Sequence, residues 1–299
     1  MLAIKLTLLW VTIVAQTLAF PDLIEQLTAN GATQLVSLID AAGLTDTLKS
    51  TGPYTIFAPV DAAFSKIPAA DLNALKNDLQ ALKDTLLYHV VNGELFTFDL
   101  RSREHVASLN NHQIRIYNTN GHTYFNQALA TKEEIQASNG VIYLIDEVLN
   151  TPEGTVWQIL NNPDYNLTMF ANTVKHARED TRLNSTTSTI RYTVFAPTNE
   201  AFNNLPSTLL NRIQTSYARY IADYHTHRGT IHASSLGKDG SVTTMFTGHL
   251  IHVTHDPDTQ EPLLNKLGHI VIQDIEADNG VVHVISHVLI PSTLAGIIG

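Results

Sequence analysis

A segment reading YTIFAPVDAAFSKIP at residues 54–68 returns as YTVFAPTNEAFNNLP at residues 192–206, a step of 138 residues. Two further landmarks keep nearly the same step and the same order. Tyr88-His89 in LLYHVVNG answers Tyr224-His225 in ADYHTHRG, and NGVIYLIDEVL at 139–149 answers NGVVHVISHVL at 279–289. Solenoid units repeat every ~20–50 residues, so a period this long makes each copy a complete fold rather than a stacking unit. The expectation is two tandem domains, residues 20–150 and 151–299, joined near Pro152 and Gly154, where turn-forming residues interrupt the pattern.

Within each copy the residue order is informative. Tyr54 to Phe57 form a β-prone run, and Pro59, with no N–H to donate, predicts the end of its ladder. Asp61 and Asn199 are expected N-caps of a short helix that carries Phe64 and Phe202 and stops at Pro68 and Pro206. Leu72, Leu75, Leu79, Leu82 and Leu86 recur at helical spacing and predict one buried helical face, closed by Gly93 as a left-handed cap. The remainder reads as strands. HQIRIYNTNGHTYFN predicts a hairpin about Asn120-Gly121, NGVIYLIDEVL a buried last strand, and GHLIHVTHDP, GHIVIQDI and VVHVISHVL their equivalents in the second copy. Helices followed by strands make each unit α+β.

A chain of 299 residues with 44% hydrophobic and 15% charged residues has enough apolar material for a substantial core in each half. A formal charge of −10 and no basic stripe argue against nucleic acid as a partner. Residues 1–19, with Lys5, an apolar run from Leu8 to Ala15, and Thr17 and Ala19 before the expected cut, read as a signal peptide, so the mature chain is expected to start at Phe20. There is no cysteine, which leaves stability to core packing. Sequons at Asn166 and Asn184 are expected glycosylation sites. The tail HVLIPSTLAGIIG lacks the spacer and long apolar segment of a lipid-anchor signal, and a secreted extracellular protein with no stable membrane insertion is expected.

The TxFAP corner with its AF pair, the central Tyr-His and the closing NGVVHVI strand together resemble the fasciclin domain, in two copies that cover nearly all of the mature chain. The first copy departs with Val60 for Thr198 and Tyr143 for His283. The resemblance implies a β-sandwich or barrel wedge packed with several helices, in a secreted adhesion or matrix protein that meets an integrin-like cell-surface receptor or matrix components. It also points to Tyr88, His89, Tyr224 and His225, and to the Asp274-Ile275 pair, as receptor-binding residues. The first copy has Glu134-Ile135 at the latter position, so exposed residues of the second domain are expected to carry adhesion. On their own chemistry the same residues read differently. A histidine in the last turn of a helix serves free carbonyls, a tyrosine packs its ring, and an acidic loop residue is solvated.

The sequence has no cysteine nucleophile, no GxSxG elbow, no HExxH, no GxxxxGK and no GxGxxG, so no enzyme and no cofactor are expected. Nine of the fourteen histidines lie between His225 and His287. On a strand, His249 and His255 share a face and His252 opposes them, so no metal site is expected; a pH response is the more modest reading. Two functions from different classes follow: an extracellular interaction module whose paired domains gain by bivalency, and a carrier of a small apolar ligand held between helices and sheet.

Overall fold

The computed structural model describes residues 20–50, 52–119, 121–187, 189–236, 240–259 and 261–294. The expected leader over residues 1–19 lies outside them, as does Asn120 of the expected hairpin turn.

The first domain contributes strands β1 (Tyr54–Pro59), β2 (Val90–Asn92), β3 (His105–Ala107), β4 (Gln113–Thr119), β5 (His122–Phe125), β6 (Ala128–Ala137) and β7 (Gly140–Ile145). The second contributes β8 (Tyr192–Pro197), β9 (Thr226–Arg228), β10 (Gly240–Thr243), β11 (Leu250–His255), β12 (Pro262–Leu264), β13 (Gly268–Ala277) and β14 (Gly280–Ile285). The sheets run β2-β1-β7-β6-β5-β4-β3 and β10-β11-β12-β13-β14-β8-β9. Each curls until its ends nearly meet. Val91 bridges to Ser108, the Leu109 N–H reaches the Val90 carbonyl at 2.7 Å, and Met245 N–H reaches the Thr226 carbonyl at 2.7 Å. The result is a nearly closed seven-strand barrel with helices against one side, an α+β fold.

The repeated corner segment forms one half of a parallel pair, β1 with β7 and β8 with β14. Parallel strands buried on both faces read as continuous apolar runs. In β1, Ile56 and Ala58 pack under the helices with Leu23, Leu27 and Leu86. Phe57 points into the barrel, its ring 4.1 Å from Phe125 and 5.9 Å from Tyr143. Phe195 does the same in the second copy, 5.4 Å from the ring of His283.

The Asn-Gly before each closing strand also has a local cause. A Cβ on Gly140 would stand 2.1 Å from the Tyr54 carbonyl oxygen, and one on Gly280 would stand 1.8 Å from that of Tyr192, so only glycine lets the parallel strands meet. Asn139 accepts from Leu23 N–H at 2.9 Å and donates to the Leu48 carbonyl at 2.8 Å. Asn279 repeats this with Val156 and Leu183. Each copy thereby ties its first helix to its last strand.

Three local expectations are corrected. Asp61 and Asn199 do not cap the corner helix. Asp61 accepts from Gln34 N–H at 2.8 Å and Asn199 from Met169 N–H at 2.8 Å, so each serves the start of an earlier helix, Thr33–Ala41 and Thr168–His176. The second corner is capped by Thr198, which accepts from Ala201 N–H at 3.1 Å. Val60 has no such oxygen, and the first corner, Asp61–Lys66, is a 3-10 helix. The single leucine-faced helix is two, Ala69–Asn77 and Leu79–Tyr88, split by Asp78, whose carboxylate caps the second at Gln80 and Ala81; Leu79 is exposed. Gly93 has a positive φ of 93° but follows β2, while the helix ends at His89.

Candidate functional site

The Tyr-His pairs sit where a helix of each copy, Leu79–Tyr88 or Ala218–Tyr224, runs into β2 or β9, and both are buried. Tyr88 is 0% exposed, His89 2%, Tyr224 4% and His225 0%. His89 Nδ1 donates to the Thr85 carbonyl at 2.7 Å, as a last-turn histidine does, while Nε2 accepts from Leu149 N–H at 2.9 Å. His225 makes the same two bonds to Ile221 and Leu289. One nitrogen donates and the other accepts, so both rings are neutral, and burial lowers each to a pKa of about 4. Tyr88 donates to the Gln113 carbonyl and accepts from Asn126; Tyr224 does so with Leu250 and Asn265. Each pair latches a helix end to the barrel and to the segment after the last strand.

Asp274 and Ile275 are also inside, at 7% and 6% exposure. The β13 ladder shifts register between Ile272 and Ile275, and Asp274 takes φ 57°. This bulge turns the carboxylate inward, where it accepts from Ala233 N–H at 2.9 Å. Burial raises the Asp274 carboxyl above its ordinary range, opposed by His232 and the Ala233 N–H. His283 Nδ1 accepts from Asp274 N–H at 3.2 Å and its Nε2 donates to the Ile231 carbonyl at 2.8 Å; burial brings it to about 4. In the first copy Glu134, also at positive φ, accepts from Thr97 N–H at 3.0 Å, and hydrogen bonding from Thr97 lowers its carboxyl. Tyr143 donates to the Leu95 carbonyl at 2.9 Å, in the place of His283. The Tyr-His pairs thus make the internal bonds that their own chemistry suggests, whereas the reading of Asp274 as a solvated or outward-facing loop carboxylate is corrected: it and Ile275 are buried, and the carboxylate is committed to the fold.

The structure brings together a group that sequence reasoning missed, at the junction of the two domains. His232 Nε2 lies 2.6 Å from Glu276 Oε1, both buried. Tyr117 of the first domain stacks on His232 at 5.7 Å, with planes 3° apart, and its hydroxyl lies 3.1 Å from Ser234 Oγ. His112 Nδ1 lies 2.8 Å from Asp278 Oδ1. Arg115 is largely desolvated, which lowers its pKa, and feels the Glu276 charge. Aligning the copies gives the only signal available in sequence: Phe96 and Gln136 stand where the second copy has His232 and Glu276.

One large open cavity lies beside these groups and another lies apart from them. One, of about 610 Å³, lies between the domains and is lined by Asp71, Glu147, Glu153 and Asp274; its Lys66 is held by Asp146 and Glu147 at 3.2 and 2.8 Å. The other, of about 680 Å³, lies at the far end of the second domain. Among the described residues no three His, Cys, Asp or Glu side chains are grouped to hold a metal ion, and no helix is long and apolar enough to cross a membrane. The sequon residues Asn166 and Asn184 are exposed, and the Asn184 Oδ1 accepts from Thr155.

Comparison with known proteins places this geometry. The sequence model of the fasciclin domain matches residues 30–152 and 165–291. Transforming growth factor-beta-induced protein ig-h3 of Sus scrofa is 30% identical over 255 residues, covering 82% of this chain and 36% of its own length. Periostin of Homo sapiens is 29% identical over 281 residues, covering 90% of this chain and 32% of its own. The chain thus spans about a third of the length of these relatives. A solved FAS1 domain pair from the insect cell adhesion molecule fasciclin I aligns over 88% of this chain and 98% of its own, at 19% identity and a TM-score of 0.43. With both copies matched by the family model, the chain belongs to the fasciclin-domain family.

Proposed function

We propose that the protein is a secreted, non-enzymatic interaction protein of the adhesion and matrix type, which offers its two fasciclin domains to a cell-surface receptor or to matrix components. The observation that supports it best is the use made of its chemistry-bearing residues. Tyr88, His89, Tyr224, His225, Asp274 and His283 each spend their polar atoms on internal bonds that hold loops and helix ends in place. Such residues shape a recognition surface without touching the partner, and the partner meets exposed groups beside them. The family resemblance supplies the class of partner.

The carrier reading gains little from the space between helices and sheet, where the ligand is expected, and is left with the open groove of about 680 Å³ beside Leu250 and Leu267. The apolar space between the helices and sheet of the first domain, lined by Leu35, Ile39 and Leu86, has room of about 10 Å³, at most that of one water. The junction cavity is large enough for a ligand but carboxylate-lined. Attachment of cells to immobilised protein, with each domain offered separately and an unbiased pull-down from membranes and matrix in parallel, tests the proposal. Recovery of a surface receptor or matrix component supports it. No attachment by any form, together with recovery of a bound small molecule, would overturn it.

A further inference from the structure

The groove at the far end of the second domain shares two of its segments with the junction cavity of the first. Glu147, Val148 and Leu149, which follow the closing strand β7, line the junction cavity, and their counterparts His287, Val288 and Leu289 line the groove. Gln127 and Lys266 correspond too, because each follows the asparagine that donates to the Tyr-His tyrosine, Asn126 at 2.7 Å and Asn265 at 2.9 Å. The charges at these places are reversed. In the first domain the segment after β7 carries Asp146 and Glu147, and Lys66 of the corner reaches them at 3.2 and 2.8 Å. In the second, Ser286 and His287 replace the carboxylates, Asn204 replaces Lys66, and the cation is Lys266, in the turn between β12 and β13. Lys266 is exposed, and among the described residues no carboxylate pairs with it or lines the groove.

Apolar side chains make up much of the groove. Leu250 is 41% exposed and Leu267 63%, and Val288, Leu289 and Ile290 complete the apolar lining. Asn265 and Lys266 take consecutive left-handed φ values of 52° and 65°, and β11 pins their turn: Asn265 N–H donates to the His252 carbonyl at 2.7 Å, and His252 N–H to Asn265 Oδ1 at 2.9 Å. Lys266 is thereby held beside His252. His252 Nδ1 lies 3.1 Å from Ser241 Oγ and His287 Nδ1 2.9 Å from Ser286 Oγ, which leaves Nε2 of each imidazole without a partner among the described residues. A concave, largely apolar site of about 680 Å³ with a few polar groups has the make-up and size, ~300–1,000 Å³, of a small-ligand site. Its chemistry narrows the ligand. A neutral apolar molecule would cover the Lys266 ammonium without pairing it, which costs free energy, and a small polar anion would leave the leucines in water. A molecule with an apolar body and an anionic end satisfies both.

We infer that this groove binds a free long-chain carboxylate of the fatty-acid class, with the acyl chain on Leu250, Leu267 and Ile290 and the carboxylate on Lys266 and the Nε2 of a flanking histidine. The first domain offers no equivalent place: Gln127 stands for Lys266 and Glu147 for His287, and a carboxylate there would meet like charge. One ligand per chain is therefore expected. The inference goes beyond the receptor reading and does not depend on it, since binding a fatty acid needs no receptor. It also differs from the carrier expected from sequence, in that the ligand is charged and lies outside the space between helices and sheet.

Fluorescence of cis-parinarate, held below the concentration at which it forms micelles and titrated with the purified full chain, tests it. Saturable binding at a single site is expected. Oleate should displace the probe, laurate should do so more weakly because its chain is shorter, and dodecyltrimethylammonium, with laurate's chain length and the opposite charge, should compete at least about tenfold less well than laurate. Lys266→Glu and Leu267→Asp, both at exposed positions, should each weaken binding by about tenfold or more, with circular dichroism and melting unchanged. Phe98→Asp, at an apolar side chain of the first domain that is 84% exposed, should bind as the wild type does. No saturable binding, dodecyltrimethylammonium competing as well as laurate, full affinity in Lys266→Glu or Leu267→Asp, or an equal loss in Phe98→Asp would each overturn the inference. So would capture of the chain by vesicles of anionic phospholipid with no binding of the free acid.

Discussion

Removing the Asp274 carboxylate is expected to destabilise the second domain by about 2–3 kcal/mol. The loss has two sources: a charge-assisted hydrogen bond to Ala233 N–H at 2.9 Å, worth about 1.5–3 kcal/mol, and a φ of 57°, at which alanine is strained by about 1 kcal/mol where aspartate and asparagine are tolerated. Relief of the buried charge, whose pKa is raised by burial, offsets part of this. Asp274→Asn keeps an acceptor and tolerates the left-handed backbone, and should lose about 1 kcal/mol or less. Glu134→Ala, at an exposed capping carboxylate, should lose only about 0.5–1 kcal/mol. Trp157 lies in a helix of the second domain, so its fluorescence in urea or heat follows that domain. A fall of about 2–4 °C per kcal/mol is expected at this size. If Asp274→Ala melts with the wild type yet abolishes cell attachment, the carboxylate acts outward and the inward reading is refuted.

Phe57→Ala and Phe195→Ala, at fully buried rings, should each lower the stability of their own domain by about 3–5 kcal/mol, read by proteolysis of the other domain as an internal control; an unchanged midpoint would mean that the cavity collapses without loss. His89, His225 and His283 have pKa values brought by burial to about 4, below the unfolded value of 6.5, so the unfolded chain binds more protons between these limits. The stability they contribute is present above about pH 6.5 and lost as pH falls toward 4; urea midpoints independent of pH across that window would contradict the neutral tautomers. Material secreted from a eukaryotic host should begin near Phe20 and lose mass at Asn166 and Asn184 on deglycosylation, and an intact Met1 would refute the leader.

The residues that spell the fold twice are legible because backbone geometry demands them. Gly140 and Gly280 permit a strand contact that no Cβ allows, and the runs from Tyr54 and Tyr192 are apolar on both faces because both faces are covered. What escapes a linear reading is direction. Asp61 and Asn199 look like caps of the helix they begin, but their side chains turn toward a helix nearly thirty residues earlier. Nothing in the spelling of Asp274-Ile275 says that a bulge rotates the carboxylate inward. The junction is the least legible part, because His112 and Tyr117 come from one copy and Asp278, His232 and Ser234 from the other, and these contacts form only when the domains meet.

The central strand pair of each barrel joins the start of a domain to its end: Tyr54 lies opposite Gly140, and Tyr192 opposite Gly280. Such long-range pairing raises contact order, so each domain must emerge from the ribosome almost whole before its middle forms, and folding is slow. While β1 waits for β7, β14 offers a closely similar edge, and exchange of closing strands between copies is the characteristic error of tandem repeats. The one residue that differs in kind at the heart of these strands discourages it. Tyr143 reaches the Leu95 carbonyl with a hydroxyl and His283 reaches the Ile231 carbonyl with a shorter ring nitrogen, so a swapped strand buries a polar group at the wrong reach. Divergence at this position lets each barrel reject the other's last strand.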